Sequence, residues 1–203
     1  MDRNDLNKHL KDNSDVLRND GVKSAFEAVD RADFVGEDYK TEAYEDYALP
    51  LGHGQTITKP TIAAFMLELL DLQPGESVLE VGSGSGWMLA LISEIIGKTG
   101  KAVGVEKIPE LLDSARESFK KYDYAHTTMK QAGEAVGHAE AGPYDKILCT
   151  ASADEIPHEL VSQLKPEGAI VMPVKGKIVR AVKKLGKLEE TAYPGEFHFE
   201  ELS

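Results

Sequence analysis

The stretch Val78-Leu79-Glu80-Val81-Gly82-Ser83-Gly84-Ser85-Gly86-Trp87 decides the fold. An apolar run, Ser77–Val81, leads into three alternating glycines and then into the helical segment Gly86–Ile96. Glycine takes positive φ at no steric cost and lets a ligand approach the backbone. The first turn of a helix carries N–H groups without intrahelical partners. A strand–glycine turn–helix junction is therefore where doubly wound sheets hold nucleotide-like ligands. The spacing is G-x-G-x-G, not G-x-G-x-x-G, and no Gly-Lys-Ser/Thr ending makes it a P-loop.

Glu106 ends the next apolar run, Ala102–Glu106. An acid at that place accepts hydrogen bonds from both hydroxyls of a ribose. Glu80 adds a second carboxylate beside the turn. Two carboxylates repel a pyrophosphate and suit a cation. S-adenosylmethionine, an adenosine bearing a sulfonium and an amino acid, fits such a site better than NAD. A tight turn without ligand and an NAD site are the competing readings.

Outward from this junction, strand and helix patterns alternate. Strands are expected at 127–129, 146–150 and 168–174, and helices at 109–120 and near 157–164. Upstream, Pro60 opens a helix whose residues Ile62, Phe65, Met66, Leu69 and Leu70 share a face, and Pro74-Gly75 stops it. Val22, Ala25, Phe26 and Val29 follow i, i+3, i+4, i+7 and predict a short amphipathic helix. Two final strands, 178–185 and 197–202, have no helix between them and predict an antiparallel hairpin. The expected fold is α/β: a Rossmann-like, doubly wound, mainly parallel sheet with a C-terminal antiparallel hairpin and an N-terminal helical cap. One domain spans 1–203, with cap and loop over 1–59 and the core over 60–203.

Composition narrows the function. The 203 residues are 41% apolar, enough for a sizeable core, and carry a net charge of −12. That charge disfavours nucleic acid as a partner, and the basic residues are pooled only in 175–187, which reads as a half-exposed strand pair. No apolar run approaches the roughly 20 residues of a membrane helix, and the polar start lacks the apolar stretch of a signal peptide. Neither a membrane nor a secretory route is expected. One cysteine, Cys149, forms no internal disulfide and reads as a small buried hydrophobe. A cytoplasmic protein is the default. The six histidines show no metal-ligand spacing, so no metal is expected.

The second informative stretch runs from Ala43 to Pro60, AYEDYALPLGHGQTITKP. Apart from Pro60 it lies in the stretch 38–59, which has no sustained helical period and reads as an ordered loop with a short strand; a loop of that length inside a compact domain usually serves function. Together with the glycine turn it resembles the protein-L-isoaspartate O-methyltransferases, which carry A-Y-x-D-x-A-L-P-I-G-x-G-Q-T-I-S-x-P at this distance from their cofactor turn. The likeness continues through Leu72–Glu80, Val105–Leu111, Pro143–Ile147, Glu155–Pro157 and Gln163–Gly168, and covers roughly 20–202. Gly54-Gln55-Thr56-Ile57 is specific to the family, whereas the glycine turn alone indicates the methyltransferase superfold.

The resemblance implies methyl transfer from S-adenosylmethionine, leaving S-adenosylhomocysteine, to the α-carboxylate of L-isoaspartyl residues. That is protein repair, with isoaspartyl proteins and peptides as partners and a monomer as the expected state. It implies cofactor contacts from Gln55, Thr56, Thr58, Glu80, Gly82, Ser83, Gly84, Ser85, Gly86, Glu106, Lys107, Gly133 and Glu134. It implies substrate contacts from His53, Ala151, Ser152 and Phe199. Thr58 matches the family's loop serine and is the catalytic candidate. Its competing reading is a helix N-cap before Pro60, for which threonine is favoured. Trp87 reads as a core residue at the start of its helix.

Three departures stand out. Thr58 keeps the hydroxyl of the family's serine but adds a methyl group and stiffens χ1. Gln131-Ala132-Gly133-Glu134 replaces Gly-Asp-Gly, so Ala132 holds no adenine edge, and Gln131 and Glu134 are the candidate substitutes. The tail reads His198-Phe199-Glu200-Glu201-Leu202 where the family has Arg-Phe-Val-Pro-Leu. These departures sustain two rivals: a methyltransferase for another peptide carboxylate, and a non-catalytic S-adenosylmethionine binder.

Overall fold

The computed structural model describes residues 1–12, 16–195 and 197–202. Helices α1 (Arg3–Asp12) and α2 (Asp20–Ala28) begin the chain, and two 3-10 turns follow, Arg31–Phe34 and Glu37–Glu42. A small hairpin, β1 (Leu49–Gly52) and β2 (Gln55–Ile57), occupies the aperiodic stretch before α3 (Pro60–Leu70). Then β3 (Ser77–Val81), α4 (Trp87–Ile96), β4 (Lys101–Glu106), α5 (Pro109–Phe119) and β5 (Thr127–Gln131) alternate. The chain continues through β6 (Tyr144–Cys149), α6 (His158–Ser162), β7 (Leu164–Val174), β8 (Lys177–Lys184) and β9 (Lys187–Tyr193).

The main sheet has seven strands in the order β5-β4-β3-β6-β7-β8-β9. The first five are parallel, and β7, β8 and β9 pair antiparallel. The chain leaves β3 toward β4 on one side and returns as β6 on the other. The carboxyl ends of β3 and β6 therefore flank the crevice where open α/β sheets bind ligands.

Local chemistry explains the elements before the sheet. The Asn19 side chain caps α2 by accepting from Gly21 N (2.8 Å) and Val22 N (3.3 Å), and Val22, Ala25 and Phe26 are buried as their spacing predicts. Pro60 opens α3, and Asp71, in the left-handed conformation, ends it three residues before Pro74. Within α3, Met66 and Leu70 are fully buried, while Ile62, Phe65 and Leu69 pack on the core only in part.

Helix α4 is buried along nearly its whole length. It lies close on β4, since a Cβ on Gly104 would come within 2.5 Å of Leu89 Cδ2. Its other side is covered by α2, with Phe26 and Trp87 meeting edge to face at 5.6 Å. The N-terminal cap thus completes the core over a helix that is apolar all round.

The final hairpin differs from expectation. Its second strand is Lys187–Tyr193, and residues 197–202 make only one isolated bridge, Ser152 to Glu201. Leu185 and Gly186 both take positive φ (47° and 78°), the conformation of a two-residue hairpin turn. The strand at 187–193 is mostly exposed, so it lacks the apolar alternation that marks a half-buried strand.

Candidate active site

A cavity of about 730 Å³ opens over the carboxyl ends of β3, β4 and β6. One end is the glycine turn. Gly82, Gly84 and Gly86 all have positive φ (82°, 50° and 84°), which side chains adopt only with strain. The turn's N–H groups are largely spent within it. Gly82 N and Ser83 N donate to the Val105 carbonyl (2.9 and 3.0 Å), and Gly86 N donates to Ser83 O (2.7 Å). Gly84 N donates to Glu106 Oε2 at 2.7 Å. The sequence predicts a cradle of free N–H groups; instead the end of β4 consumes them. Such a turn gives a pyrophosphate little to hold, whereas the Glu80 and Glu106 carboxylates beside it suit a cation.

Glu106 is fixed at both oxygens, since its Oε1 accepts from Ile108 N at 2.8 Å. Each carboxylate oxygen has further lone pairs for ligand hydroxyls. Glu80 is 1% exposed, and its Oε2 has no hydrogen-bond partner among the described residues. Burial, reinforced by the Glu106 charge, pushes the Glu80 carboxyl well above the usual range. Ser83 Oγ and Trp87 Nε1 are likewise buried without partners. Native interiors seldom leave such groups unmatched. All three residues belong to the cavity wall, so the orphaned atoms fit a polar, positively charged ligand such as S-adenosylmethionine.

The other end is built from the 43–58 loop, and its organiser is a residue with no sequence signal of its own. The Arg31 side chain is 2% exposed and donates to four carbonyls: Ala43 (2.8 Å), Glu45 (3.3 Å), Tyr47 (3.1 Å) and Thr58 (3.1 Å). Its guanidinium lies 5.1 Å from the centre of the Trp87 ring. Burial lowers its pKa to about 10, so it stays charged at neutral pH.

Asp46, also without an assigned role in the sequence, lines the cavity and caps α3. Its carboxylate accepts from Thr61 N (2.9 Å) and Thr61 Oγ1 (2.7 Å), with Lys59 Nζ at 3.4 Å. Burial alone would raise this carboxyl, but the Thr61 bonds and Lys59 bring it below its ordinary value. The N-cap position of α3 is Lys59, which makes no side-chain cap bond. Thr58 is therefore not the cap. Its carbonyl is held by Arg31, the residue lines the cavity, and its hydroxyl has no hydrogen-bond partner among the described residues.

Most of the expected residues meet on this cavity. Gln55, Thr56 and Thr58 come from the loop, and Gly82, Ser83, Gly84 and Ser85 from the turn. Glu80, Glu106 and Lys107 come from strand ends, Gly133 and Glu134 from beyond β5, and Ala151 and Phe199 from the far wall. Three residues are placed elsewhere. His53 sits exposed at the tip of the β1–β2 hairpin with φ 55°. Gly86 faces α5, where an added Cβ would stand 3.0 Å from Phe119 and 3.1 Å from Ala115. Ser152 holds the tail: its N donates to Glu200 O (2.7 Å) and its O accepts from Leu202 N (2.8 Å). Beyond β5, Glu134 reaches the wall of the cavity and Gln131 does not.

Comparison with known proteins decides the family. The family model "Protein-L-isoaspartate(D-aspartate) O-methyltransferase (PCMT)" matches residues 1–196. The chain belongs to this family. A protein-L-isoaspartate O-methyltransferase of Archaeoglobus fulgidus is 47% identical over 153 residues, covering 75% of this chain and 70% of its own. Its counterpart in Methanopyrus kandleri is 42% identical over 175 residues, covering 86% of this chain and 77% of its own. The fold agrees with a Plasmodium falciparum structure described as the same enzyme in complex with S-adenosyl-L-homocysteine. The TM-score is 0.88 at 23% identity, over 100% of this chain and 99% of that one.

Trp87 is a core residue, 2% exposed, that also lines the cavity. Cys149 is buried and donates to Ala151 O at 3.3 Å. Burial pushes its pKa up to about 12, so it remains an inert thiol.

Proposed function

We propose that this cavity transfers a methyl group from S-adenosylmethionine to the α-carboxylate of L-isoaspartyl residues, with the Thr58 hydroxyl at the acceptor. As a member of the family the chain is a protein-L-isoaspartate O-methyltransferase acting in protein repair. The observation that carries the site assignment is the joining of two ends in one cavity. Glu106, the glycine turn and Glu80 with its unpartnered oxygen form one, and Thr58 with Gln55 and Thr56 forms the other. S-adenosylmethionine supplies a methyl group activated on a positively charged sulfur. Glu106 would hold its ribose hydroxyls, and Glu80 would answer its positive charge.

The acceptor needs no strong base, because a carboxylate with an ordinary pKa of about 3.9 is already an anion at neutral pH. The residues must strip it of water, hold it and align it. Thr58 donates to it, while Ala151 and Phe199 provide small and apolar wall. The ester recyclises to a succinimide, which reopens in part to aspartate. The reading includes a single domain, a monomer, a cytoplasmic setting, and no nucleic-acid or membrane partner. The net charge of −12 supports it, and no helix among the described residues is long and apolar enough to cross a membrane.

The test is transfer of labelled methyl from S-adenosylmethionine to paired peptides differing only in isoaspartyl versus aspartyl. Base-labile label on the isoaspartyl peptide alone is expected. Cofactor binding with no transfer to either peptide would overturn this reading and leave a binder or a methyltransferase for a different acceptor.

A further inference from the structure

We infer that the two tail glutamates, Glu200 and Glu201, select among isoaspartyl substrates by the charge of the neighbouring residues. Peptides with basic flanks are favoured and peptides with acidic flanks are disfavoured. The inference rests on the activity proposed above and adds the substrate class to it.

The tail is not a loose end. Phe197 stacks on Phe65 with ring centres 6.3 Å apart and planes inclined by 12°. Phe197 and Phe199 both pack against the main core, and Leu202 packs against the second apolar cluster. Between these contacts the backbone pairs with Ser152. Glu200 O accepts from Ser152 N (2.7 Å), Leu202 N donates to Ser152 O (2.8 Å), and Glu201 forms the bridge. The segment carrying the two acids is thus fixed on both sides against the wall that also holds Ala151.

Both glutamates line the cavity and are exposed. Neither side chain has a hydrogen-bond or ion-pair partner among the described residues. Of the described lysines on this cavity, Lys59 is engaged by Asp46 at 3.4 Å, and neither Lys59 nor Lys107 forms an ion pair with the tail acids. Two uncompensated negative charges therefore sit on ordered backbone at the cavity wall. A peptide bound in this cavity would bring its flanking residues to the wall that holds them, and charges act there over about a Debye length, about 8 Å at physiological salt. A lysine or arginine there is attracted, and an aspartate or glutamate is repelled. The acceptor carboxylate itself is common to all substrates, so the tail charge discriminates only through the flanks.

The experiment uses the full chain and three isoaspartyl peptides, identical except for Lys, Gln or Glu on both sides of the isoaspartyl residue. The readout is the ratio of kcat/KM between peptides, which a general loss of activity leaves unmoved. At low ionic strength a preference of about tenfold for Lys over Glu is expected, the scale of two exposed charge pairs. At about 1 M salt, where the Debye length is about 3 Å, the ratio falls toward one. In the double variant E200Q/E201Q the low-salt ratio falls below about twofold, since those charges are gone. A ratio in the variant equal to that of the unaltered protein overturns the inference, as does equal turnover of all three peptides. Absence of transfer to every isoaspartyl peptide instead overturns the proposed activity itself.

Discussion

The glycine turn and the 43–58 loop are both irregular backbone at one cavity, yet they are held differently. The turn is braced by its own neighbours: the Val105 carbonyl and the Glu106 carboxylate at the end of β4 take its N–H groups. The loop is held from a distance, by four bonds from one buried guanidinium. One end depends on strand order within the sheet, and the other gathers four of its carbonyls on one side chain of the cap, with Asp46–Thr61 and Tyr44–Asp30 as further ties. The difference predicts that the loop end fails all at once, whereas the turn end weakens bond by bond.

The largest effect is expected at Arg31. Arg31→Met keeps an unbranched side chain but removes the guanidinium beside Trp87. The Ala43, Tyr47 and Thr58 carbonyls then lose their donor, while Glu45 O keeps Tyr47 N at 2.9 Å. A buried acceptor left unsatisfied typically costs about 1–3 kcal/mol, and urea unfolding reads the sum. Arg31→Lys restores charge without the planar fork and recovers only part of the loss. A drop below about 1 kcal/mol, no more than one ordinary hydrogen bond, would show that the loop is held by other means.

Next comes Glu106→Ala. It removes the acceptor of Gly84 N and Ile108 N, two charge-assisted bonds of about 1.5–3 kcal/mol each at most. Because the turn keeps its Val105 bonds, the protein stays folded. The expected readout is S-adenosylmethionine affinity, weakened at least about tenfold by calorimetry, since about 1.4 kcal/mol is one decade. Unchanged affinity would detach the turn end of the cavity from the cofactor.

The same contrast explains what was legible in the sequence. The strand–turn–helix junction and Glu106 are read from neighbours in the chain, because the period of β3 and α4 and the spacing of the glycines are local. The alternating order of elements followed from the same patterns. Arg31 was not legible. Nothing beside it marks a guanidinium that must be buried, since its four acceptors lie 12 to 27 residues away. Asp46 stood in the recognised loop, but its capping of Thr61 is also a long-range bond. Thr58 is the site candidate, and the competing cap reading rests on its place two residues before Pro60 and on threonine's preference for caps. The tail strand was misplaced because Lys187–Tyr193 is an exposed edge strand, whereas the apolar residues of 197–202 belong to an irregular segment seated on the core.

Thr58 sharpens the comparison from the loop end. Its hydroxyl caps nothing, so Thr58→Val, of nearly the same shape, leaves unfolding within about 0.5 kcal/mol of the unaltered protein, as surface substitutions do. A hydrogen bond to a charged acceptor, about 1.5–3 kcal/mol, corresponds to a loss of roughly 10- to 100-fold in kcat. Thr58→Ser retains turnover. If Thr58→Val turned over isoaspartyl peptide at the full rate, the acceptor would be held by another group.

The smallest effect, and the one most specific to the turn end, is a pH dependence. Burial and the Glu106 charge raise the Glu80 carboxyl in the folded chain. In the unfolded chain it titrates near its ordinary value, about 4.3. Between that value and the raised one, the folded state keeps a proton that the unfolded state has released. The free energy of unfolding then falls as pH rises, by up to about 1.4 kcal/mol per pH unit. Asp46, lowered in the folded state, acts only at more acid pH, and Cys149, pushed up to about 12, only at more alkaline pH. Glu80→Gln stays neutral throughout and loses this slope, while the histidine contributions are common to both proteins and cancel in the difference. Urea unfolding between about pH 5 and 7, the range above the ordinary Glu value, measures that difference. A cation bound beside Glu80 favours its ionised form. Saturating S-adenosylmethionine is therefore expected to flatten the slope of the unaltered protein and leave Glu80→Gln unmoved. Parallel slopes without cofactor would mean that water reaches Glu80 and that the turn end is more open than its buried, unpartnered oxygen implies.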